Sequence, residues 1–216
     1  MNRPPAGGTA SAGGAHRVLV LATHNAHKVR ELRAILAEAD ALGPLEVVGA
    51  SELGVAAPLE DGLTFQENAL LKARFVAQAT GLAAVGDDSG LCVAALGGAP
   101  GVFSARWAGG HGDDAANLAL LLDQLRDVPE KGRAAWFECA AVLALPGGGE
   151  HAATGRMEGR LAYEPRGAGG FGYDPILIPD GFNVTSAELE PGQKNAISHR
   201  GKAFRTLAPA IRALWC

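Results

Sequence analysis

Two adjacent carboxylates, Asp87 and Asp88, directly follow the short apolar run that ends near residue 86. In an extended strand neighbouring side chains point to opposite sides, so only one of the pair readily faces a given cleft. Grouped with the acidic residues of segment 60–67, these carboxylates supply the hard oxygen atoms that Mg²⁺ prefers, and Mg²⁺ usually arrives with substrate phosphates. The sequence Asp-Asp-Ser-Gly is also common in turns, so a structural turn is the alternative at this point.

A helix start near the beginning of the chain carries cations where the helix dipole disfavours them. Lys28 and Arg30 lie in the first turn of a helix that follows a buried strand, at a cost of about 0.3–1 kcal/mol each. A phosphate held by the helix N-terminus and Lys28 would offset that cost. The alternatives are a simple cap formed by Thr23 or Asn25, and a solvated basic face.

A second basic helix start lies near the end of the chain. Ser198 is a good N-cap residue, His199 and Arg200 follow it directly, and Lys194 lies just before it. These side chains can donate to phosphate, ribose or carbonyl oxygens. The alternative is that they bend away into water. The repetition of one unfavourable arrangement favours a functional role for both helix starts.

The segment 167–172 (GAGGFG) satisfies the G-x-G-x-x-G pattern of dinucleotide-binding folds. Its context does not fit a dinucleotide-binding fold, because no buried strand precedes the segment and Asp174-Pro175 cannot continue into the required helix. Two alternatives remain. The segment is either a flexible turn, or a loop whose glycines let backbone and the aromatic rings of Phe171 and Tyr173 lie against a flat ligand such as a base.

Alternating apolar runs and amphipathic segments predict an α/β fold, with helices packed on a long mixed β-sheet. Thr64 and Glu67 are spaced as a capping box, and Gly81 ends the helix that they begin. Lys72 lies on that helix and, taken alone, is equally a surface lysine. The predicted elements, in order, are strand 17–23, a helix opening at Asn25, strand 45–50, helix 64–80, strands 83–86 and 91–96, helix 113–126, strand 134–145, a hairpin return over 151–162, strand 175–178, a polar loop to Asn195, and helix 198–214.

Composition narrows the class of protein. The chain has 216 residues, 48% of them hydrophobic and 19% charged, which suits one globular unit or two tightly joined lobes. A net charge of -4 provides no global basic field for nucleic acid or an anionic membrane. The three cysteines lack zinc or disulfide spacing. We expect no membrane span, no signal peptide and a cytoplasmic protein, with 1–16 as a disordered tail and 17–216 as the folded domain.

Seven motifs, taken in order, resemble the inosine/xanthosine triphosphate pyrophosphatase (HAM1-like) family. They span roughly residues 17 to 212, and their joint occurrence in this order is more specific than any one of them. The motifs are ATHNAHK at 22–28, EDGLTF at 60–65, Asn68 through Lys72-Ala73-Arg74, DDSGL at 87–91, LGGAPG at 96–101, FGYDP at 171–175 and KNAISHRG at 194–201.

The resemblance implies an elongated α/β fold of two lobes with a central substrate cleft, assembled as a homodimer. It also implies Mg²⁺-dependent hydrolysis of the purine nucleoside triphosphates ITP, dITP and XTP to the monophosphate and pyrophosphate. Such an activity cleanses the nucleotide pool. Two other functions remain open: a nucleotide-binding sensor without catalysis on the same scaffold, and a pyrophosphatase for other modified nucleotides.

The resemblance also implies a role for each matched residue. Asp88 would be the general base for water attack on the α-phosphorus, with Asp87 as the secondary candidate, and Glu60 and Asp88 would hold the metal ion. The other implied binding residues are Thr23, His24, Asn25, Ala26, His27, Lys28 and Lys72 for the triphosphate; Phe171, Gly172, Tyr173 and Asp174 for the purine; Lys194, His199 and Arg200 for base and phosphate contacts; and Ser89 as a lining residue.

Overall fold

A computed structural model describes residues 17–38 and 45–215. The predicted tail, 1–16, lies outside the described residues. Within them, no helix is both long and apolar enough to cross a membrane. The strands are β1 (Val18–Leu21), β2 (Glu46–Gly49), β3 (Ala84–Val93), β4 (Ala134–Ala144), β5 (Glu150–Leu161) and β6 (Leu177–Pro179); the helices are α1 (Ala26–Glu38), α2 (Phe65–Thr80), α3 (Asp114–Gln124), α4 (Pro191–Ile197) and α5 (His199–Ala213).

The strands form one six-stranded mixed sheet in the order β2-β1-β3-β4-β5-β6. β2, β1 and β3 are parallel, and every pairing from β3 onward is antiparallel. The turn at 145–149 joins the two longest strands, β4 and β5, as a hairpin. The α/β class and the mixed sheet predicted from the sequence are therefore confirmed.

The prediction that residues 87–90 separate two strands is wrong. They lie inside the single strand β3, which pairs with β4 without interruption from Ala84↔Ala144 to Val93↔Ala135. This long ladder satisfies the backbone groups that a turn would otherwise have to pair, so local turn chemistry does not decide the conformation. Asp87 and Asp88 thus project from opposite faces of a continuous strand.

The two faces of the sheet are covered by different helices. On one face α1 and α5 pack over a core that includes Leu21, Val85 and Phe204. On the other face α2 packs over Val20, Ala84 and their neighbours. A third core cluster, which includes residues of α3 and the far ends of β3 to β5, lies at the other end of the long strands. The sheet therefore has one packed region at each end of the long strands.

The segment predicted as a polar loop up to Asn195 contains the short helix α4. Pro191 occupies its first turn, where a missing N–H costs nothing, although the Pro-Gly pair reads locally as a turn. Ser198 then ends α4 and begins α5. The last strand is also displaced, because β6 is Leu177–Pro179 rather than 175–178.

Two strand glycines set how closely the helices approach the sheet. A Cβ on Gly86 would overlap the backbone oxygen of Ala69 in α2, and one on Gly155 would overlap the backbone oxygen of His199 in α5. Only glycine allows this contact between strand and helix backbone. These two positions therefore determine how closely the N-terminal part of α2 approaches β3 and how closely the start of α5 approaches β5.

We expect Gly86→Ala and Gly155→Ala each to lower the free energy of unfolding by about 1–3 kcal/mol, because the added methyl group overpacks a rigid backbone contact. Urea denaturation measures the change. Gly147→Ala is the matched control, since a methyl group there meets nothing within 4 Å and should leave stability almost unchanged. Equal stability of all three variants would contradict this account of the packing.

Candidate functional site

Asp87 lies at the centre of the charged groups on one face of β3. Its side chain is 1% exposed, and its Oδ2 accepts from Lys28 Nζ at 3.0 Å and lies 3.6 Å from Arg200 Nε. Lys28 comes from α1 and Arg200 from α5. The cations of both predicted basic helix starts thus meet on one carboxylate from the middle of the chain.

Asp88 lies on the opposite face of the strand, towards α2. Its Oδ1 is 3.3 Å from Lys72 Nζ, and the same ammonium group lies 3.2 Å from Glu60 Oε1. The Lys72 side chain is only 8% exposed, so the structure excludes the alternative of a surface lysine. Two carboxylates, Glu60 and Asp88, therefore share one cation.

Asn68 is a member of this cluster to which the sequence analysis assigned no role. It is buried, its Nδ2 donates to Asp88 Oδ2 at 3.1 Å, and its Oδ1 accepts from the backbone N–H of Gly62 at 2.8 Å. It thereby fixes the loop that carries Glu60 relative to Asp88. Its spacing of four residues before Lys72 places both side chains on one face of α2, and that spacing is the signal that could have identified it.

The segment 23–28 forms the cap of α1. Asn25 Oδ1 accepts from the backbone N–H groups of His27 and Lys28 at 2.9 and 3.2 Å, and Thr23 Oγ1 accepts from Asn25 N at 3.2 Å. His24 Nε2 lies 2.7 Å from Val55 O and ties the segment to the chain after β2. The cap is therefore present. The cost of Lys28 at this helix end is offset within the protein by a carboxylate.

α5 begins at a true N-cap, because Ser198 Oγ accepts from Gly201 N at 2.9 Å. Arg200 is 5% exposed; its Nη2 donates to Ser89 Oγ at 2.8 Å and its Nη1 to Glu31 Oε2 at 2.9 Å. Ser89 therefore lies on the Asp87 face of β3, in contact with Arg200. Glu31 was missed by the sequence analysis, although it lies one helical turn after Lys28 on α1, a spacing that places the two side chains on one face.

The glycine-rich segment is a loop of bends and turns, with no strand directly before it and no helix directly after it. The exclusion of a dinucleotide fingerprint is confirmed in this respect. Asp174 Oδ2 accepts from Phe171 N and from Lys194 Nζ, each at 2.8 Å. Gly170 has a φ of 72°, and a Cβ there would overlap the Asp174 carboxylate. The loop is thus wound around one buried acid.

The ring of Phe171 faces the basic groups of the site. Arg200 Cζ lies 5.0 Å and Lys194 Nζ 5.7 Å from its centroid, and the ring of His27 lies 5.8 Å away at an angle of 39°. Asp114 supports the loop from α3, since its Oδ2 accepts from Gly172 N at 2.9 Å. The aromatic loop and the cap of α1 therefore meet across the site.

The side chain of Tyr173 does not join the other predicted site residues. It is buried in the third core cluster, and its hydroxyl donates to Ser104 O at 2.9 Å. The Tyr173 side chain therefore anchors the loop to that core. The expectation that its ring lies against a ligand is not met. The loop offers one aromatic face, that of Phe171.

A cavity of about 570 Å³ lies on the α2 side of the sheet, beside the N-terminus of that helix. Its lining includes Phe65, Phe103, Glu138 and Ala140. Ala140 is the cross-strand neighbour of Asp88, but neither Asp88 nor any other predicted site residue lines the cavity. The cavity is therefore not the place where the predicted site residues converge.

Three buried polar atoms have no hydrogen-bond partner within the described part of the chain: Asp87 Oδ1 and Arg200 Nε at the convergence point, and His199 Nδ1 in the first turn of α5. Buried polar atoms are almost always paired in native proteins, so a cluster of unpaired atoms indicates a place where a polar ligand completes the bonding. His199 itself stacks on Phe137, with centroids 4.9 Å apart. Burial, together with Arg200 and Lys194, holds the pKa of His199 well below 6.5.

This lowered pKa predicts a pH dependence of stability. Below pH 6.5 the unfolded state binds a proton that folded His199 does not, so the free energy of unfolding should fall as the pH falls, by at most about 1.4 kcal/mol per pH unit. His199→Asn should remove this part of the dependence, and His111→Asn, at an exposed histidine, should keep it. Urea midpoints between pH 5 and pH 7 measure the difference. Identical pH profiles for all three proteins would contradict the assignment.

Comparison with known proteins agrees with this arrangement. The sequence profile of the Ham1 family matches residues 19–210. The chain is 59% identical over 197 residues to the dITP/XTP pyrophosphatase of Streptomyces coelicolor, covering 91% of this chain and 98% of that protein. It is 54% identical over 196 residues to the dITP/XTP pyrophosphatase of Leifsonia xyli subsp. xyli, covering 91% and 96%.

Solved structures show the same fold. A HAM1 protein from Coxiella burnetii is similar with a TM-score of 0.80 and 40% identity, covering 91% of this chain and 99% of that one. The Ham1 protein of Staphylococcus aureus is similar with a TM-score of 0.79 and 35% identity, covering 92% and 100%. With a matching profile over most of its length, close relatives and a shared fold, the chain belongs to the Ham1 family.

Proposed function

We propose that this protein is a hydrolase that converts nonstandard purine nucleoside triphosphates, namely ITP, dITP and XTP, to the nucleoside monophosphate and pyrophosphate. One observation carries the proposal. Asp87 and Asp88, from the middle of the chain, meet cations on both faces of β3, and the cations on the Asp87 face come from both ends of the chain and include Arg200, which lies beside the half-buried ring of Phe171. Relatives that are 54–59% identical carry the name dITP/XTP pyrophosphatase.

The triphosphate is proposed to lie between α1 and α2. Lys28 and Lys72 supply positive charge from opposite faces of β3, and both faces are within reach because β1 ends opposite Val85, just before the two aspartates. The segment 23–28, including His24, Ala26 and His27, presents the start of α1, where the helix dipole favours an anion.

Mg²⁺ is the proposed cofactor, and Glu60 and Asp88 are the residues that would hold it. They already place carboxylate oxygens within 3.3 Å of one cation, the Lys72 ammonium group. The described residues contain no cluster of three or more His, Cys, Asp or Glu side chains placed for a metal ion. This fits Mg²⁺, which proteins commonly hold by one or two carboxylates together with substrate phosphates. Bound there, the ion would neutralise charge that develops on the phosphates.

The charges of the site support the need for such an ion. Its carboxylates, Glu31, Glu60, Asp87, Asp88 and Asp174, outnumber by one its basic side chains, Lys28, Lys72, Lys194 and Arg200. A polyphosphate would add further negative charge to a site that already has an excess. Binding by the side chains alone is therefore electrostatically unfavourable, and a divalent cation reverses the sign.

Asp88 is proposed as the general base, with Asp87 as a fixed charge. Burial raises the pKa of Asp88 despite the proximity of Lys72. Burial acts in the same direction on Asp87, but Lys28 and Arg200 outweigh it and lower the pKa of that carboxyl to about 2. A carboxylate with a raised pKa accepts a proton more readily. Asp88 would take the proton from a water that attacks the α-phosphorus, while pyrophosphate leaves.

The purine is proposed to stack on Phe171, with Asp174 holding the loop backbone and with Lys194, His199 and Arg200 at the base edge. Arg200 is a donor only, so it matches a carbonyl at the 6-position and opposes the amino group of adenine. An unpaired donor in a buried site is costly, and that cost allows strong discrimination between the two bases.

Two further properties are proposed from the family resemblance. We infer that the chain acts as a homodimer, and that it works in the cytoplasm, where the triphosphate pool that it would cleanse is found.

The proposal predicts a substrate order and a product. With Mg²⁺, ITP and XTP should be hydrolysed far faster than ATP, and pyrophosphate rather than orthophosphate should be released, because attack falls on the α-phosphorus. Removing the metal with EDTA should abolish turnover, and added Mg²⁺ should restore it. Anion-exchange separation of the products measures all three. Orthophosphate release, equal rates for ITP and ATP, or binding without turnover would contradict the proposal.

The division between the two aspartates predicts different losses. Asp88→Asn should lower kcat by about 10²–10⁴-fold while nucleotide binding is retained, because the proton acceptor is lost but the amide keeps one oxygen atom for the proposed metal ion. Asp87→Asn should lower the free energy of unfolding by about 3–5 kcal/mol, because the buried Arg200 and the half-buried Lys28 lose their shared carboxylate. Steady-state kinetics and urea denaturation of both variants make the comparison. Unchanged kcat in Asp88→Asn would remove that residue from the role of base.

A further inference from the structure

His27 is an exposed residue in the first turn of α1, and the proposed chemistry gives its imidazole ring no task. Its backbone N–H donates to Asn25 Oδ1 at 2.9 Å, so the main chain of His27 is already paired within the cap. Its ring contacts the aromatic loop, because the ring centroids of His27 and Phe171 are 5.8 Å apart. The side chain therefore extends from the cap of α1 to the proposed purine site.

A contact within α1 determines which nitrogen of the imidazole can donate. Arg30 Nη2 lies 3.0 Å from His27 Nδ1. A guanidinium group has donors only, so Nδ1 is the acceptor of this hydrogen bond and the ring proton is on Nε2. Within residues 17–38 and 45–215, Nε2 has no hydrogen-bond partner. His27 therefore has one N–H donor left for a ligand.

The distance between the two rings leaves no room for a purine between them. A base stacked between two parallel rings needs two contact distances of about 3.5 Å, or about 7 Å between the ring planes. The centroids of His27 and Phe171 are closer than this, at 5.8 Å, and the rings are tilted by 39°. His27 therefore borders a purine that stacks on Phe171 and does not cover it.

The covalent order of a nucleotide determines which part of it lies at this border. The sugar joins the base to the α-phosphate, so it must lie between the groups that bind those two parts. In the proposed site the base lies on Phe171 and the phosphates lie beside Lys28, which directly follows His27 in α1. Lys28 extends to Asp87, at 3.0 Å, whereas His27 extends to Phe171. His27 is thus placed beside the sugar.

We propose that His27 is a specificity-determining residue that donates its Nε2–H to a hydroxyl oxygen of the sugar, and that it does not bind the triphosphate. The inference rests on the proposed function, because the proposed places of the base and the phosphates define where the sugar lies. A sugar hydroxyl has two acceptor lone pairs, which suits a neutral imidazole donor. Removing the donor should therefore change how the enzyme responds to the sugar hydroxyls.

The test is His27→Phe, which keeps a ring against Phe171 and removes the donor. The substrates are ITP, dITP, which lacks the 2′-hydroxyl, and the 3′-deoxy analogue of ITP. For the hydroxyl that His27 contacts, the ratio of kcat/KM between ITP and the deoxy analogue should be about 3- to 10-fold lower in the variant than in the wild type. The ratio for the other hydroxyl should not change. Inhibition by tripolyphosphate, which has no sugar, should stay within about twofold of the wild type.

Two further variants separate a lost hydrogen bond from a general defect. His27→Gln carries an amide N–H donor in place of the imidazole and should restore part of the lost ratio, although it has no ring. His111→Phe is the matched control, because His111 is an exposed histidine outside the site and both of its ratios should equal those of the wild type. If His27→Phe does not fold, as judged by circular dichroism, His27→Ala replaces it with the same expected loss.

The outcomes distinguish the inference from the function on which it rests. A wild-type protein that does not hydrolyse ITP would overturn both. An enzyme that hydrolyses ITP, but whose two ratios are the same in the wild type and in His27→Phe or His27→Ala, would overturn the inference alone. So would a loss of tripolyphosphate inhibition as large as the loss of kcat/KM for ITP, since it would assign His27 to the triphosphate.

Discussion

The alternation of side chains along one strand is the constraint on which this site depends. Asp87 and Asp88 are neighbours in β3, so they must leave the sheet on opposite faces. Each therefore requires its own helix to bring a cation, and each is buried enough to make that cation necessary. The helices that pack over the apolar core, α1 and α5 on one face and α2 on the other, are the elements that bring these cations.

The cations and carboxylates on the α1 and α5 face form an alternating series. Contacts run from Lys28 to Asp87, Arg200, Glu31, Lys194 and finally Asp174. Every internal member lies between two groups of opposite sign, which limits the cost of burying each charge. The series begins at the cap of α1 and ends at the aromatic loop. A single rigid framework thus relates the two ends of the elongated ligand that we propose.

The sequence predicted correctly those features that are formed by residues close together in the chain. The capping box at Thr64 and Glu67 and the cap at Ser198 are formed within a few residues, and the structure confirms both. Residues 87–90 were misplaced because pairing with β4, about fifty positions later, outweighs their turn chemistry. Glu31 was missed because its partner, Arg200, is 169 positions away. In the sequence alone, an acidic residue on the surface cannot be distinguished from one that pairs with a buried cation, because the cation comes from a distant segment.

The different surroundings of the two aspartates give adjacent residues different chemistry. Asp87 contacts two cations, which keep its pKa low enough that it remains charged at any physiological pH. Asp88 has the amide of Asn68 and the shared ammonium group of Lys72 as neighbours, and burial outweighs them and raises its pKa. When the surroundings of two carboxyl groups shift their pKa values in opposite directions, the group with the lower pKa stays charged and the group with the higher pKa accepts a proton more readily. Because the faces of a strand alternate, one dipeptide can supply both of the parts that we propose, and the helix packed on each face decides which cations each carboxylate contacts.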